Sequence, residues 1–259
     1  MKDFLKILAW LGKFLAKVVA VYAVLGAYDV SRNKALDKSV VKRYFFGNGA
    51  LTWLLSPLNT LLDLLALPYV NKGVYKLEDF PKPYQDEITS VLEASVRENL
   101  VAKLEETAKD RKRTMVFFKW YGENVENSID VPAFHQKYKY IHTIGVSIFS
   151  KKQSTSKHFG PFRATLRVLY NINQMDDDSA FITVGDVTNY WRTDKLFIFD
   201  DTLMHQSINE TDQTRYCMFI DILRPSSMPG LYSGVLSVAR FFLRSFNYIF
   251  YKNWDVVKG

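Results

Sequence analysis

Hydrophobic and polar positions divide the chain into four unlike stretches. Residues 4–28, FLKILAWLGKFLAKVVAVYAVLGAY, are apolar with a helical rhythm, and Lys2, Lys6, Lys13 and Lys17 fall on one narrow stripe at ~100° per residue. Only Val18 to Tyr28 is free of charge, short of the roughly 20 residues that cross a bilayer. The pattern fits a tilted span with snorkelling lysines or a helix lying in the interface, and favours insertion. A polar, basic link (residues 29–43) leads into YFFGNGALTWLLSPLNTLLDLLALPYV, which is apolar but interrupted by Gly47, Gly49, Pro57 and Asp63. Those breaks predict a broken, re-entrant or surface-bound segment, with a buried core helix as the alternative.

From Lys76 to Arg113 the chain is charged and periodic, the pattern of one or two amphipathic helices with a solvated outer face. Short strand-like pieces follow: MVFFKWYG, HTIGVSIFS, ATLRVLYNI, SAFITVG, KLFIFD and YCMFIDIL, separated by turn clusters such as NQMDDDS and NETDQT. Their spacing predicts a mainly β fold, a jelly-roll or double-stranded β-helix barrel with flanking α-helices and hydrophobic, membrane-associated arms. The last stretch, MPGLYSGVLSVARFFLRSFNYIFYKNW, is again helical. Ser237, Arg240, Arg244 and Asn247 share one face, and Leu236, Phe242, Leu243, Phe246, Ile249 and Phe250 occupy much of the rest. It suits a membrane interface or packing on the N-terminal arm. The expected division is a hydrophobic anchoring region (1–70), amphipathic helices on the barrel (71–115), the barrel (116–226) and a C-terminal interface helix (227–259).

With 259 residues and 48% apolar content the chain can bury a full catalytic core. Its 15% aromatic share gathers in the two arms, which suggests interfacial contact. The net charge of +7 favours an anionic partner, and with such arms a phospholipid surface fits better than nucleic acid, for which no motif is present. The single cysteine, Cys217, lies in a strand and cannot form an intramolecular disulfide. The sequon at Asn209 carries no meaning in a domain facing the cytosol.

Chemistry concentrates between Ser147 and Pro225. His158 stands in KHFGPF, His205 in FDDTLMHQ, and Arg215 follows ten residues later on an apolar strand. Two imidazoles brought together at a barrel mouth suit iron(II), and a strand-borne arginine is costly to bury without an anion. The carboxylate that often completes such a site belongs two residues after the first histidine, where this chain has Gly160. The Asp176–Asp178 run reads as a solvated turn, and Asp200 and Asp201 as a strand-end turn assigned to no metal. His135 and His142 lack such context and read as structural or surface residues.

The order H-x-G-P, L-R, F-D-D-T-x-x-H, N-x-T-x-x-R and D-x-x-R-P, over about 80 residues, resembles the aspartyl/asparaginyl β-hydroxylase family. FKWYG at Phe118–Gly122 and the hydrophobic arms resemble its membrane-bound bacterial branch, which includes the lipid A 2-hydroxylases. The resemblance implies an Fe(II)- and 2-oxoglutarate-dependent dioxygenase that uses molecular oxygen, with His158 and His205 as iron ligands. Arg215 would pair with the distal carboxylate of 2-oxoglutarate with help from Ser147, and Arg167 would approach the carboxylate beside the keto group. Gly160 matches members in which water or an anion completes the iron sphere and departs from the lipid A enzymes, which carry Asp there. Leu169 stands where the family often has histidine. The implied substrate is a membrane lipid acyl chain, of lipid A or an acylated aminolipid, at a bacterial inner membrane with the catalytic domain on the cytoplasmic side. The alternatives are an Asp/Asn hydroxylase of a protein or peptide, and a catalytically silent membrane-associated barrel.

Overall fold

A computed structural model describes residues 2–109, 111–243 and 255–257. The first apolar stretch is one continuous helix, α1 (Lys2–Ser31), whose most apolar window is wholly unburied within the chain. At 1.5 Å per residue it is long enough to cross a membrane despite its lysine stripe. The second apolar stretch breaks at Gly47–Gly49 and just before Pro57 but not at Asp63, which lies within a helix. α2 (Lys38–Phe46) starts on the Asp37 cap and stops at Gly47, and α3 (Ala50–Leu54) is followed by α4 (Ser56–Leu65), with Pro57 in its first turn. These helices pack against α1 and against the barrel, and leave Phe46, Leu54, Leu61 and Leu64 exposed.

The core is two antiparallel sheets. The larger contains β1 (Val74–Tyr75), β2 (Arg113–Trp120), β3 (Glu123–Asn124), β4 (Ile141–Phe149), β6 (Thr165–Asn171), β9 (Leu196–Phe199), β11 (Arg215–Leu223) and the parallel edge strand β12 (Asp255–Val257), in the order β1-β9-β6-β11-β4-β2-β12 with β3 paired to β2. The smaller contains β5 (Gln153–Ser154), β7 (Ala180–Val184), β8 (Val187–Tyr190) and β10 (His205–Asn209), in the order β5-β10-β7-β8. From β4 to β7, and again from β8 to β11, successive strands alternate between the two sheets, the winding of a double-stranded β-helix. Two edge strands, β1 and β12, lie outside the 116–226 interval expected for the barrel. Two and three residues long, they give too little alternation to read from sequence.

Alternation sorts the large sheet's side chains onto two faces. Ile144, Val146, Ile148, Val168, Met218 and Ile220 face outward, where α5 (Lys82–Arg97) and α6 (Leu100–Ala108) cover them with Ile88, Val91, Ala94, Leu100 and Leu104. The inward face meets the small sheet over Leu169, Phe197, Phe199, Cys217, Ile182, Val184 and Trp191. Both faces are therefore buried, as the near-continuous apolar runs of β4 and β11 suggest. At the end of β11, α7 (Pro229–Leu243) packs Tyr232 and Leu236 against Leu62 of α4 and Leu223. It leaves Val238 and Phe241 exposed to solvent. Arg244, Phe246, Asn247, Ile249 and Phe250 of the expected C-terminal helix lie outside the described residues.

Candidate functional site

His158 and His205 are backbone neighbours. They form an isolated antiparallel bridge at the edge of the small sheet, with His158 N–H donating to the His205 carbonyl (2.9 Å) and His205 N–H to the His158 carbonyl (2.8 Å). Paired residues of a ladder project to the same face, which puts the ring centroids 4.1 Å apart. Each Nδ1 lies against a carbonyl two residues back, His158 on Ser156 (2.8 Å) and His205 on Leu203 (2.9 Å). That contact makes Nδ1 the protonated nitrogen and leaves Nε2 with a free lone pair, the tautomer a metal ion needs. Neither Nε2 has a hydrogen-bond partner among the described residues. Burial pushes both imidazoles below their ordinary pKa, and for His205 the neighbouring His158 adds to the shift, so both are neutral and ready to ligate at pH 7.

Among the described residues no three His, Cys, Asp or Glu side chains group as a complete metal cage. One carboxylate lies against Gly160, two residues after His158. A Cβ built on Gly160 would lie 2.5 and 2.6 Å from the two Asp201 carboxylate oxygens, so Asp201 fills the space a side chain at 160 would take. The backbone fixes this approach through Gly160 N–H donating to the Asp201 carbonyl (2.6 Å). Asp201 Oδ2 accepts from Arg167 Nη2 (3.0 Å), while its buried Oδ1 has no partner. Burial pushes its pKa up to about 7; Arg167 pulls it down, and Asp221 and Asp200 push it further up. The sequence shows this carboxylate only as part of a turn. Its role depends on a contact between residues 41 positions apart, with Gly160 the one local signal.

The remaining predicted residues share the inward face of the large sheet. Arg215 pairs with Phe149 and Cys217 with Ser147 across β11 and β4, and Asp221 pairs with Arg167 across β11 and β6. Odd positions of β11 point inward together, and their cross-strand partners with them. Arg215 is 1% exposed, and its Nε and Nη1 lack hydrogen-bond partners. Its guanidinium lies 4.3 Å from the Phe149 ring and 5.4 Å from that of Trp191, and burial lowers its pKa. Ser147 Oγ donates to the Cys217 carbonyl (3.3 Å). Arg167 is braced on both sides, Nε to Asp221 (2.6 Å) and Nη2 to Asp201, and lies 3.7 Å above the Phe219 ring.

Two further groups escape sequence reasoning. Trp191 Nε1 and Ser207 Oγ are buried without partners in the same interior, Trp191 beside Arg215 and Ser207 two residues along β10 from His205. Unpaired buried donors are costly, and several around one cavity mark a place for an anionic or polar ligand. His142, expected to be structural, is half-buried on β4 with no role at the histidine pair.

The double-stranded β-helix thus brings two neutral imidazoles together at the edge of the smaller sheet and keeps an unpaired guanidinium inside. The aspartyl/asparaginyl β-hydroxylase family profile matches residues 83–225, just over half the chain, and the protein belongs to that family. It is 31% identical over 109 residues to the ornithine lipid ester-linked acyl 2-hydroxylase of Rhizobium tropici, a match covering 42% of this chain and 39% of that protein. Solved structures with a loosely similar fold include a salicylate 1,2-dioxygenase from Pseudaminobacter salicylatoxidans (TM-score 0.30, 10% identity, 54% of this chain and 34% of that one). Another is the Cnp3 cupin domain of Schizosaccharomyces pombe (TM-score 0.27, 11% identity, 31% of this chain and 52% of that one). The fold assignment rests on the strand order of this chain.

Proposed function

We propose that this protein is an Fe(II)/2-oxoglutarate-dependent hydroxylase that acts on a C–H bond in the acyl part of a membrane lipid. The observation that carries the reading is the pair of neutral imidazoles with free Nε2 atoms in the barrel that also encloses the unpaired Arg215. His158 and His205 would hold the metal, and Asp201, packed beside Gly160 with its Oδ1 unpartnered, is a carboxylate that could approach it. Bound iron would supply the oxygen activation and one-electron chemistry that amino-acid side chains lack. Overall, one atom of O2 would enter the substrate C–H bond and the other the succinate formed as 2-oxoglutarate loses CO2.

The chain's own residues bind, orient and exclude water. Arg215 offers two free N–H donors to the distal carboxylate, the planar geometry that suits bidentate recognition, and Trp191 Nε1 and Ser147 Oγ can add to it. Arg167 presents positive charge beside the histidines, to the carboxylate next to the keto group, and its pairing with Asp201 and Asp221 fixes its orientation. The apolar lining of Leu169, Phe197 and Phe199 keeps the interior dry and strengthens each of these contacts. The named activity of the Rhizobium relative supports an acyl substrate. The exposed apolar length of α1 supports anchoring at the bilayer, for which we adopt the bacterial inner membrane with the barrel on the cytoplasmic side. Residues 1–70 would be the anchor.

Gly160 favours a second reading, hydroxylation of an Asp or Asn residue in a protein or peptide. One experiment separates the two. The solubilised protein is titrated anaerobically with Fe(II) and 2-oxoglutarate, and lipids of expressing cells are then compared by mass spectrometry. A lipid gaining one oxygen atom, lost in His205→Ala, supports the first reading. Unchanged lipids with oxidised peptides select the second, and absence of metal binding overturns both.

A further inference from the structure

The turn that carries Asp201 and His205 is not held by the barrel alone. Asp200 opens it, and its Oδ1 accepts from Thr202 N–H (2.9 Å) and Thr202 Oγ1 (2.7 Å), which closes the backbone into a tight loop. The loop then delivers the Leu203 carbonyl to His205 Nδ1. The other oxygen of Asp200 faces away from the turn and accepts from Arg32 Nη2 (2.5 Å) and Asn71 Nδ2 (2.6 Å). Arg32 also donates through Nη1 to Thr202 Oγ1 (3.2 Å), and the next residue, Asn33, accepts the Met204 N–H through Oδ1 (2.7 Å). Arg32 and Asn33 immediately follow the long apolar helix α1. Three of the five residues from Asp200 to Met204 are thus bonded to its end.

Packing repeats the pattern. Val30 of α1 shares one apolar cluster with Met204, next to His205, and Phe159, next to His158. Gly185, in the β7–β8 turn, lets the Asn33 carbonyl come close; a Cβ there would lie 2.8 Å from that oxygen. Asp29 accepts from Arg163, which also reaches Thr202 Oγ1 (3.3 Å). Burial would raise the Asp200 pKa, but the charges of Arg32 and Arg163 outweigh it and hold Asp200 ionised well below the usual carboxylate range.

We propose that Arg32 is a positioning residue of the histidine site. Acting through Asp200 and Thr202, it sets the turn that orients His205 and presses Asp201 onto Gly160, so the apolar helix and the metal site form one mechanical unit. This rests on the metal-site reading above and adds to it that the arm shapes the site as well as anchoring it. Outer partners of metal ligands commonly govern affinity by 10–100-fold.

The test is anaerobic Co(II) titration of the full chain in detergent, read by visible absorption and compared with His205→Ala. Arg32→Met is expected to weaken Co(II) binding by about 10–100-fold, and Arg32→Lys, which keeps the charge on Asp200, to recover part of the loss. Because Arg32→Met leaves Asp200 buried without its arginine, the double variant Arg32→Met/Asp200→Asn removes that charge. The expected result is a melting temperature close to wild type with Co(II) binding still weak. Recovery of Co(II) affinity together with stability overturns the proposal, since Arg32 would then act on the fold alone. If Arg32→Met does not fold, the Lys variant decides: weakened binding supports the proposal and unchanged binding overturns it. Wild-type protein that binds no Co(II), like His205→Ala, would instead sink the metal-site reading itself.

Discussion

Two groups of buried arginines share this barrel and differ in what faces them. Under the N-terminal arm, Arg163 meets Asp29 and Asp63, Arg224 meets Asp63, and Arg32 meets Asp200. Inside the barrel Arg215 is as deeply buried, yet no carboxylate pairs with it among the described residues; aromatic rings flank it and two of its nitrogens are free. Each arginine of the first group has a carboxylate partner, although Arg224 Nε lacks a hydrogen bond, and the group therefore builds structure. Arg215 has no such partner among the described residues, and the proposed co-substrate would supply one.

The comparison can be broken most sharply at Arg163. Arg163→Ala leaves the buried Asp29 without its arginine and Asp63 with Arg224 alone, and should cost about 3–5 kcal/mol of stability, read by denaturant unfolding. Arg215→Met should do the reverse. Losing an unpaired buried cation leaves the ligand-free protein as stable or stabler, by about 1–3 kcal/mol, while 2-oxoglutarate binding measured by calorimetry disappears. If Arg215→Met unfolds the protein as Arg163→Ala does, the distinction between the two groups fails. Trp191→Phe sharpens the contrast at smaller scale. Removing one donor near Arg215 should weaken 2-oxoglutarate binding by about 0.5–1.5 kcal/mol, roughly 3–10-fold, with the barrel intact by circular dichroism.

A pH effect follows from Asp201. Its folded pKa of about 7 lies above its unfolded value, so the group favours the folded state below about pH 4. That stabilisation is lost as pH rises from about 4 to 7, and is constant above. Metal binding should run the other way, because a cation beside Asp201 displaces its proton. Affinity for Co(II) should fall by up to about tenfold per unit as pH drops below 7, and Asp201→Asn should flatten that slope. An unchanged slope in Asp201→Asn would remove this carboxylate from the site.

Much of the barrel is legible in the sequence because β2, β4, β6, β7, β9 and β11 each carry their own pattern of apolar residues bounded by turn residues. His158 and His205 are legible from their surroundings, Gly160 and Pro161 after the first and the FDD turn before the second, and Arg215 from its place at the head of an apolar strand. What stays hidden is contact across the chain. Nothing near Arg32 announces Asp200, 168 positions away, and nothing near Asp63 announces Arg163. Arg167 illustrates the limit: its strand position is clear, but its two carboxylate neighbours come from β11 and from the turn before β10. Trp191 and Ser207 look ordinary in sequence, and only their unmet hydrogen bonds distinguish them.

The mutual pairing of the His158 and His205 peptide groups has one more consequence. Main-chain hydrogen bonds set the separation of the two rings, so on the proposed metal-site reading no folding step would need to await an ion. Such a protein should survive chelation with its architecture intact and reload readily. By the same token it cannot use collapse around the ion to choose among metals, and which one it carries would follow from what its surroundings supply.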